Sequence, residues 1–348
     1  MKINPEAQRT LFPEECLLRE LARQPRLSIG LPKENTQVET RLALTPEGVA
    51  IVTEEGHSVY VQRGAGEPMS YSDLQYSEAG AYLVDTAAEV YGADIVMKIA
   101  PPTTDELALM NDRSSVFSML QLSNLSPESI ALMMKKKMNA IAYELIKDEQ
   151  KAFPVVSSVS EIEGSTAIAV AAELMSNERG GKGLLLGGVA GISPTEVLIL
   201  GAGITGTVAA RTALALGAQV KIFDHDITKL RKIQHYLGQQ VFTSVIHPAV
   251  LFKALASADA VIGNLRYING SERFMIYEKY GVIHYCVPNI SARVARTTSM
   301  ALSNIFAPIL LKIGLSGSVK VAIAESSGFR NGAYVYGGVL VNRLIGSY

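Results

Sequence analysis

The amino-acid sequence predicts an α/β protein with more than one domain. Short apolar segments alternate with helical segments along the chain, which is typical of a mostly parallel sheet covered by helices on both faces. A second series of this kind begins at Glu196. The 348 residues exceed the ~100–200 residues of a usual domain, so we expect two domains.

The composition excludes several classes of protein. With 48% hydrophobic and 19% charged residues, the chain can build sizeable cores and is neither disordered nor fibrous. The net charge of -1 and the absence of a dense basic run exclude nucleic acid and an anionic membrane surface as expected partners. The polar N-terminus has no signal-peptide core, and no apolar run approaches the roughly 20 residues of a membrane span. We therefore expect a cytoplasmic protein.

No metal site is expected from the sequence. The two cysteines, Cys16 and Cys286, lie far apart and do not form a CxxC motif. None of the five histidines has metal-ligand spacing to another histidine or to a cysteine.

The elements follow from periodicity and turn signals. A polar helix is predicted at 14–23, ahead of the fold. In the first half, strands are predicted at 27–32, 57–62, 94–100, 115–121 and 139–146, with helices at 45–56 and 85–92. A long helix is predicted at 161–183, before a glycine-rich loop at 184–194. The second series has predicted strands at 197–200, 220–223, 241–246, 260–263 and 282–287, and a helix interrupted by proline at 299–314.

A glycine-rich motif is the most informative stretch. Gly201, Gly203 and Gly206 form G-x-G-x-x-G directly after a buried strand, with Ile204 and Thr205 inside the motif. The glycines permit a tight turn, close approach of a pyrophosphate, and close packing of helix and strand. The helix that follows offers free N–H groups to the phosphates.

An acidic residue completes the motif. Asp224 ends the next strand, where a carboxylate accepts the adenosine ribose hydroxyls and repels a 2′-phosphate. The ordered set of strand, turn, helix, strand and acid predicts an NAD site rather than an NADP site. The alternative is a tight βα turn without a ligand.

The sequence resembles the alanine dehydrogenase / nicotinamide nucleotide transhydrogenase N-terminal family, and among its members most closely the alanine dehydrogenases. The resemblance covers nearly the whole chain from Ile29. Its blocks are residues 29–49, 63–81, 93–102, 140–146, 181–203 and 282–304.

This resemblance implies two Rossmann-like domains, each with a parallel sheet flanked by helices, and an active-site cleft between them. It places the discontinuous substrate domain at 1–155 plus 297–348 and the NAD-binding domain at 156–296. It also implies a homo-oligomer, at least a dimer, that binds a small amino acid or keto acid as substrate.

The resemblance adds further cofactor-binding residues to the glycine motif and Asp224. Lys229 matches a lysine beside the adenosine, and Ser160 matches a serine near the nicotinamide amide. Leu265, Val287, Asn289 and Ile290 match residues that line the cofactor pocket.

At the substrate site the match is incomplete. Arg41 matches the arginine that grips the keto acid, a role that suits a bidentate guanidinium. Ala100 stands where the family has a substrate-binding lysine, and Gln121 stands where it has the catalytic histidine. Gln121 can bind a carbonyl but cannot act as a general acid at neutral pH. Lys98 lies two residues before Ala100, on the same face of the strand, and could partly replace the lysine, although a structural role is favoured.

A whole segment of the family is also missing. After residues 260–270 the family continues with a helix and with a strand that ends in a catalytic Asp. Here residues 264–281 leave no room for a parallel crossover and another strand. Loss of a central strand would expose backbone and apolar surface, which favours the interpretation that the sequence lacks a segment of the full protein. The catalytic residues are therefore unassigned.

Three functions remain open. The first is an NAD-dependent amino-acid dehydrogenase that resembles alanine dehydrogenase and converts L-alanine, water and NAD to pyruvate, ammonium and NADH. The second is a paralogue that binds NAD(H) but has lost or changed the reaction, as Ala100 and Gln121 suggest. The third is a transhydrogenase domain, whose Arg-Ile-Ser-Arg-Ala-Gln signature is absent from residues 153–160.

Overall fold

The structure is a computed structural model that describes residues 26–120, 125–238, 240–263, 276–279, 282–285 and 289–341. These residues belong to two compact units. Unit 1 is drawn from Met1–Val155 and Ala295–Tyr348, and unit 2 from Val156–Val294. The predicted helix at 14–23 lies outside the described residues.

Unit 1 contains an eight-stranded sheet in the order β14-β13-β6-β5-β4-β1-β2-β3. Its strands are β1 Ser28–Leu31, β2 Ser58–Gln62, β3 Tyr82–Val84, β4 Ile95–Met97, β5 Ser115–Ser118, β6 Asn139–Ala142, β13 Ala333–Tyr336 and β14 Val339–Leu340. The first six are parallel, whereas β13 pairs antiparallel with both β6 and β14. Strands β4, β5 and β6 are buried at every residue, as expected where helices cover both faces.

The helices of unit 1 cover this sheet. They are α1 Pro46–Glu54, α2 Asp73–Glu78, α3 Ala87–Tyr91, α4 Thr104–Leu109, α5 Pro127–Lys135, α10 Ala295–Ser316, α11 Val319–Glu325 and α12 Ser327–Gly332. Capping boxes begin α2, α3 and α4, because Ser72, Thr86 and Thr103 each pair with a Gln or Glu at the third helical position. Sequence signals for helix starts are therefore strong in this unit.

Unit 2 contains a parallel four-stranded sheet in the order β10-β7-β8-β9. Its strands are β7 Glu196–Leu200, β8 Gln219–Asp224, β9 Phe242–Val245 and β10 Ala260–Gly263, and its helices are α6 Pro154–Met175, α7 Ile204–Ala215, α8 Ile227–Leu237 and α9 Pro248–Ser257. Apolar residues of β7, β8, α6 and α7 form its main core. The α/β class with parallel sheets and flanking helices, as predicted from the sequence, is confirmed.

Three sequence-based expectations for the elements were wrong. The long helix spans Pro154–Met175 rather than 161–183, since Pro154 suits a first turn and Gly180 and Gly183 take positive φ beyond its end. Pro308 does not interrupt α10, whose apolar residues on both sides of the proline are buried in unit 1. The strand predicted at 282–287 does not join the parallel sheet of unit 2.

That last strand instead forms a hairpin. Strand β12 Val282–Tyr285 pairs antiparallel with β11 Ile276–Lys279. The few residues between the two strands allow a hairpin, whereas a parallel partner needs a crossover of a dozen or more residues. The short chain between β10 and β12 therefore explains the change of partner.

Two helical stretches, Pro154–Met175 and Ile290–Ser316, are long and apolar enough to cross a membrane by length and composition alone. The core helix of a soluble protein passes the same test. Phe306 and Leu310 of the second stretch are fully buried within the fold, which accounts for its apolar character.

Candidate functional site

The glycine motif of unit 2 forms the turn from β7 into α7. Gly201 has a φ of 110°, a conformation that side chains other than glycine rarely adopt. Gly203 is the N-cap of α7. A Cβ on Gly206 would lie 1.9 Å from the Gly201 carbonyl oxygen, so this position accepts no side chain while helix and strand stay packed.

The space in front of this turn is open. A Cβ added to Gly201 or Gly203 would have no atom within 4 Å among the residues that the structure describes. The two glycines therefore keep the backbone accessible to a ligand rather than making room for a neighbouring segment. The first N–H groups of α7 lie at this end of the helix, where an anion is stabilised. The turn has the shape and the electrostatics that a dinucleotide pyrophosphate requires.

Asp224 is fixed beside this turn at the end of β8. Its Oδ2 accepts a hydrogen bond of 2.7 Å from the Ala202 amide, and its Oδ1 accepts one of 2.8 Å from the Asp226 amide. Burial opposes the charge, but these two amides and the charges of Lys229 and His225 hold the pKa of Asp224 below its usual value. Asp224 is therefore an ionised, oriented acceptor next to the glycine turn, as ribose binding requires.

Ser160 lies in α6, which packs closely against the start of α7. A Cβ on Gly164 would lie 2.4 Å from the Thr205 carbonyl oxygen, so the two helices meet at these residues. Ser160 precedes Gly164 by one helical turn and therefore lies on the same face of α6.

The other predicted cofactor residues are only partly described. Lys229 is exposed in α8, and its charge contributes to the lowered pKa of Asp224. Asn289 has a φ of 60°, and its carbonyl accepts a bond from the Ala292 amide in the short 3-10 helix that begins at Ile290. Leu265, Val287 and Gln121 lie outside the described residues, and their roles stay predictions.

Arg41 of unit 1 is buried in an ion pair with Glu39. Its Nε and Nη2 donate to the two oxygens of Glu39 at 2.7 Å each. Glu39 Oε1 also accepts from the backbone amides of Thr40 and Arg41, at 3.0 and 2.9 Å. The guanidinium is thus held by a carboxylate that its own backbone fixes.

Lys98 lies just beyond the carboxyl end of β4 and contacts two carboxylates. Its Nζ donates to Glu106 Oε1 at 2.7 Å and lies 3.2 Å from Glu34 Oε2. The Tyr91 hydroxyl donates to the same oxygen of Glu106 at 2.7 Å. We call Glu34, Lys98, Glu106 and Tyr91 the Lys98 cluster. Within it, Lys98 neutralises buried carboxylates, which supports the structural role favoured from the sequence.

Glu34 carries the least satisfied carboxyl of this cluster. Its Oε1 accepts a hydrogen bond of 2.6 Å from the Ile99 amide, but its Oε2 receives none from any described residue, because the contact with Lys98 lacks hydrogen-bond geometry. Only 7% of the residue is exposed. Burial raises the pKa of Glu34 to about 7, against the opposing effects of the Lys98 charge and the Ile99 amide.

Ala100 itself contributes no chemistry, and its carbonyl accepts a hydrogen bond from Ser118 Oγ at 2.9 Å. The residue lies at the same sheet edge as the Lys98 cluster, next to the Ile99 amide that binds Glu34. Tyr143 is fully buried and packs edge-on against Phe306, while its hydroxyl donates to the Ile99 carbonyl at 3.1 Å.

Glu34, Glu39 and Glu106 were not among the site residues predicted from the sequence. A capping-box pattern marks Thr103 and Glu106, but that pattern indicates a helix start and not an ion pair with Lys98. Glu39 stands two residues before Arg41, a spacing that suggested no contact because it fits no regular element. The burial of Glu34 depends on strands distant in sequence, so no local signal could have identified it.

Comparison with known proteins identifies the family. The model "Alanine dehydrogenase/PNT, N-terminal domain" matches residues 30–163, and "Alanine dehydrogenase/PNT, C-terminal domain" matches residues 167–273 and 268–343. The chain is 33% identical to an alanine dehydrogenase of Methanococcus maripaludis, over 87% of this chain and 91% of that protein. It is 32% identical to an alanine dehydrogenase of Bacillus subtilis, over 87% and 90%.

Solved structures agree at the level of the fold. An L-alanine dehydrogenase superposes with a TM-score of 0.83 at 29% identity, over 92% of this chain and 98% of that one. A transhydrogenase from Sinorhizobium meliloti superposes with a TM-score of 0.76 at 22% identity, over 90% and 100%, and at this identity shows the fold alone.

The comparisons also locate a discontinuity. The alignment with the Methanococcus maripaludis protein runs over 343 positions but includes only 87% of the 348 residues of this chain. Several tens of residues of that protein are therefore aligned with a gap in this chain. The C-terminal family model matches in two pieces that meet near residues 268–273. This break falls in the stretch where the sequence leaves no room for a crossover helix. From the two family models and the relatives that align over most of its length, the chain belongs to the alanine dehydrogenase/PNT family.

Proposed function

We propose that this protein is an NAD-dependent oxidoreductase that interconverts L-alanine with pyruvate and ammonium. One observation carries the proposal: Asp224 is locked to the glycine turn through the Ala202 amide, in a chain whose relatives are alanine dehydrogenases. The ionised carboxylate and the accessible backbone together fit a dinucleotide with free ribose hydroxyls. A 2′-phosphate next to Asp224 would be repelled, which favours NAD over NADP.

The residues of unit 2 would hold the cofactor in distinct ways. The Gly201–Gly206 turn and the first amides of α7 would bind the pyrophosphate, and Asp224 would accept from the adenosine ribose. Ser160, on the α6 face that meets α7, would serve the nicotinamide end. When bound, NAD accepts a hydride from the α-carbon of the amino acid.

Arg41 of unit 1 would bind the substrate carboxylate. A guanidinium stays charged at all physiological pH values and binds a carboxylate with directed hydrogen bonds. Because Glu39 fixes the plane of this guanidinium, Arg41 would orient the substrate as well as attract it. Lys98 is held by two carboxylates, so we assign it to the support of the site and not to the substrate.

A second candidate is a paralogue that binds NAD(H) without turning over alanine. Ala100 and the engagement of Lys98 with Glu34 and Glu106 favour it, because neither position offers the substrate a lysine. The transhydrogenase alternative receives support only from the shared fold.

Enzyme kinetics with NADH and with NADPH distinguish these functions. NADH oxidation should require both pyruvate and ammonium, should be far weaker with NADPH, and should fall in Arg41→Lys without loss of NADH binding. NADH binding with no turnover on pyruvate or other small keto acids would instead select the paralogue. Equal use of NADPH would contradict the role given to Asp224.

A further inference from the structure

The buried carboxyl of Glu34 has no role so far beyond its contact with Lys98. It lies beyond the carboxyl end of β1, in the loop that also leads to Arg41. Its Oε1 accepts from the Ile99 amide, one residue before Ala100. Its Oε2 lies 3.2 Å from Lys98 Nζ without hydrogen-bond geometry and has no hydrogen-bond donor among the described residues. A buried oxygen without a donor costs free energy unless it carries a proton itself or meets a ligand.

The groups around Glu34 come from several elements. Lys98 follows β4, Glu106 belongs to α4, and Tyr91 ends α3. Glu39 lies on the loop of Glu34 itself, and Tyr143, which follows β6, is close enough for Glu34 to affect its titration. Glu34 therefore faces one cation, two carboxylates and two phenols.

This setting lets the carboxyl exist in either protonation state near neutral pH. Burial and the neighbouring Glu39 carboxylate favour the protonated form, and the Lys98 ammonium and the Ile99 amide favour the ionised form. A group poised in this way can both take up and return a proton at physiological pH. Neither Ala100 nor Gln121 can do so.

We propose that Glu34 is a catalytic acid–base residue of this protein and contacts the substrate through Oε2. This inference rests on the proposed function. In alanine oxidation, hydride loss leaves an iminium carbon, to which water adds. As the C–O bond forms, a proton of the water passes to Glu34. Glu34 then gives this proton to the nitrogen, the C–N bond breaks with its electron pair moving to nitrogen, and the hydroxyl proton returns to Glu34 as the C=O bond forms.

Lys98 and Glu106 act in this proposal as positioning residues. The ammonium stabilises Glu34 when the carboxyl is ionised, and Glu106 anchors the ammonium through Oε1 while its Oε2 binds the Thr103 amide at 2.7 Å. Glu106 thus holds Lys98 in place, and Glu34 alone exchanges a proton in this proposal.

The kinetic test compares Glu34→Gln with the wild type across pH 5–9. Loss of an acid–base group should lower kcat by about 100-fold or more. The wild-type ionisation near neutral pH should vanish from the kcat profile, and NADH affinity should stay unchanged. Glu196→Gln is the matched control, since it removes the carboxylate partner of Lys221 in unit 2 and should leave the profile intact. An unchanged kcat and pH profile in folded Glu34→Gln would overturn the proposal.

A spectroscopic test on the wild-type protein separates this inference from the proposed function. In protein labelled with ¹³C-glutamate, the carboxyl resonance of Glu34 is identified as the one that is absent from the Glu34→Asp variant. This resonance should titrate near neutral pH and shift when pyruvate is added to the NADH complex. If alanine turnover is absent but this shift occurs, the proposed function fails and the contact with Glu34 stands. If turnover occurs and the resonance ignores pyruvate, the proposed function stands and Glu34 is not catalytic.

Discussion

At the scale of single residues, the buried charges of Glu39 and Arg41 are held in place by each other and by backbone amides. Glu39 and Arg41 are 3% and 2% exposed, so neither charge is solvated by water. Their two hydrogen bonds, together with the amides of Thr40 and Arg41, replace the lost hydration. Removing one partner of such a pair leaves a buried charge without compensation.

This pair should matter far more to stability than a pair on the surface. We expect Glu39→Ala to lower the free energy of unfolding by about 3 kcal/mol, because Arg41 would lose its buried counter-ion. The control is Asp85→Ala, which breaks the exposed pair with Arg63 and should cost under about 1 kcal/mol. Chemical denaturation at pH 7 measures both variants, and similar losses would show that the buried pair has no special role.

The buried carboxyl of Glu34 predicts a pH-dependent stability. Its pKa is raised from 4.5 to about 7 in the folded protein, so between these values the folded state binds more protons than the unfolded state. The stability that this group contributes is therefore full below pH 4.5 and is lost as pH rises to 7, by roughly 3 kcal/mol in all.

Glu34→Gln should lack this dependence. From pH 4.5 to pH 8 the wild type should lose stability relative to the variant, so the difference between their unfolding free energies should shift in favour of Glu34→Gln. Denaturant titrations at several pH values give this difference directly. A constant difference would mean that Glu34 titrates normally in the folded protein, and a shift toward the wild type would mean that its pKa is lowered on folding; either result would contradict this prediction.

At the scale of elements, the β7–α7 turn combines two kinds of glycine. Gly206 is needed for packing, because its Cβ would meet the Gly201 carbonyl. Gly203 is different: its φ is -78°, and a Cβ there would meet no atom of the described residues within 4 Å. Neither backbone conformation nor packing among these residues requires glycine at this second position, as expected if a ligand approaches it.

Two alanine variants should therefore behave differently. Gly203→Ala should keep its melting temperature and lose NADH affinity by about tenfold or more, roughly 1.4 kcal/mol, since the methyl group would obstruct the pyrophosphate. Gly206→Ala should lower the melting temperature, because overpacking costs about 1–3 kcal/mol. Thermal unfolding and NADH fluorescence titration measure both quantities. Full NADH affinity in Gly203→Ala would contradict the placement of the cofactor on this turn.

The sequence predicted this βαβ unit well because its signals are local. The glycine spacing, the preceding apolar strand and Asp224 lie within one βαβ unit, and each carries its own conformational reason. The Lys98 cluster was not predictable in the same way. It brings together residues that follow β1 and β4 with residues of α3 and α4. Their contacts depend on the order of strands in the sheet, and no local sequence pattern specifies that order.

At the scale of the whole molecule, chain length between elements decides which strands can pair. Five of the first six strands of unit 1 were predicted from the sequence, and β3 was missed. Strands β13 and β14 were also missed; β13 directly follows the short helix α12, and a two-residue turn, Gly337 and Gly338, joins it to β14. The hairpin β11–β12 was missed because residues 282–287 were predicted as a strand of the parallel second series, where the connecting chain is too short for a crossover.

The central claim is that this protein moves a hydride between NADH and the α-carbon of a small amino acid. The most direct measurement is the mass spectrum of alanine formed from pyruvate and ammonium with NADH that carries deuterium at the transferring C4 position. The account predicts alanine with one deuterium at its α-carbon, in step with NADH consumed. NADH that binds but yields no labelled alanine would contradict the account and identify a cofactor-binding protein without this chemistry.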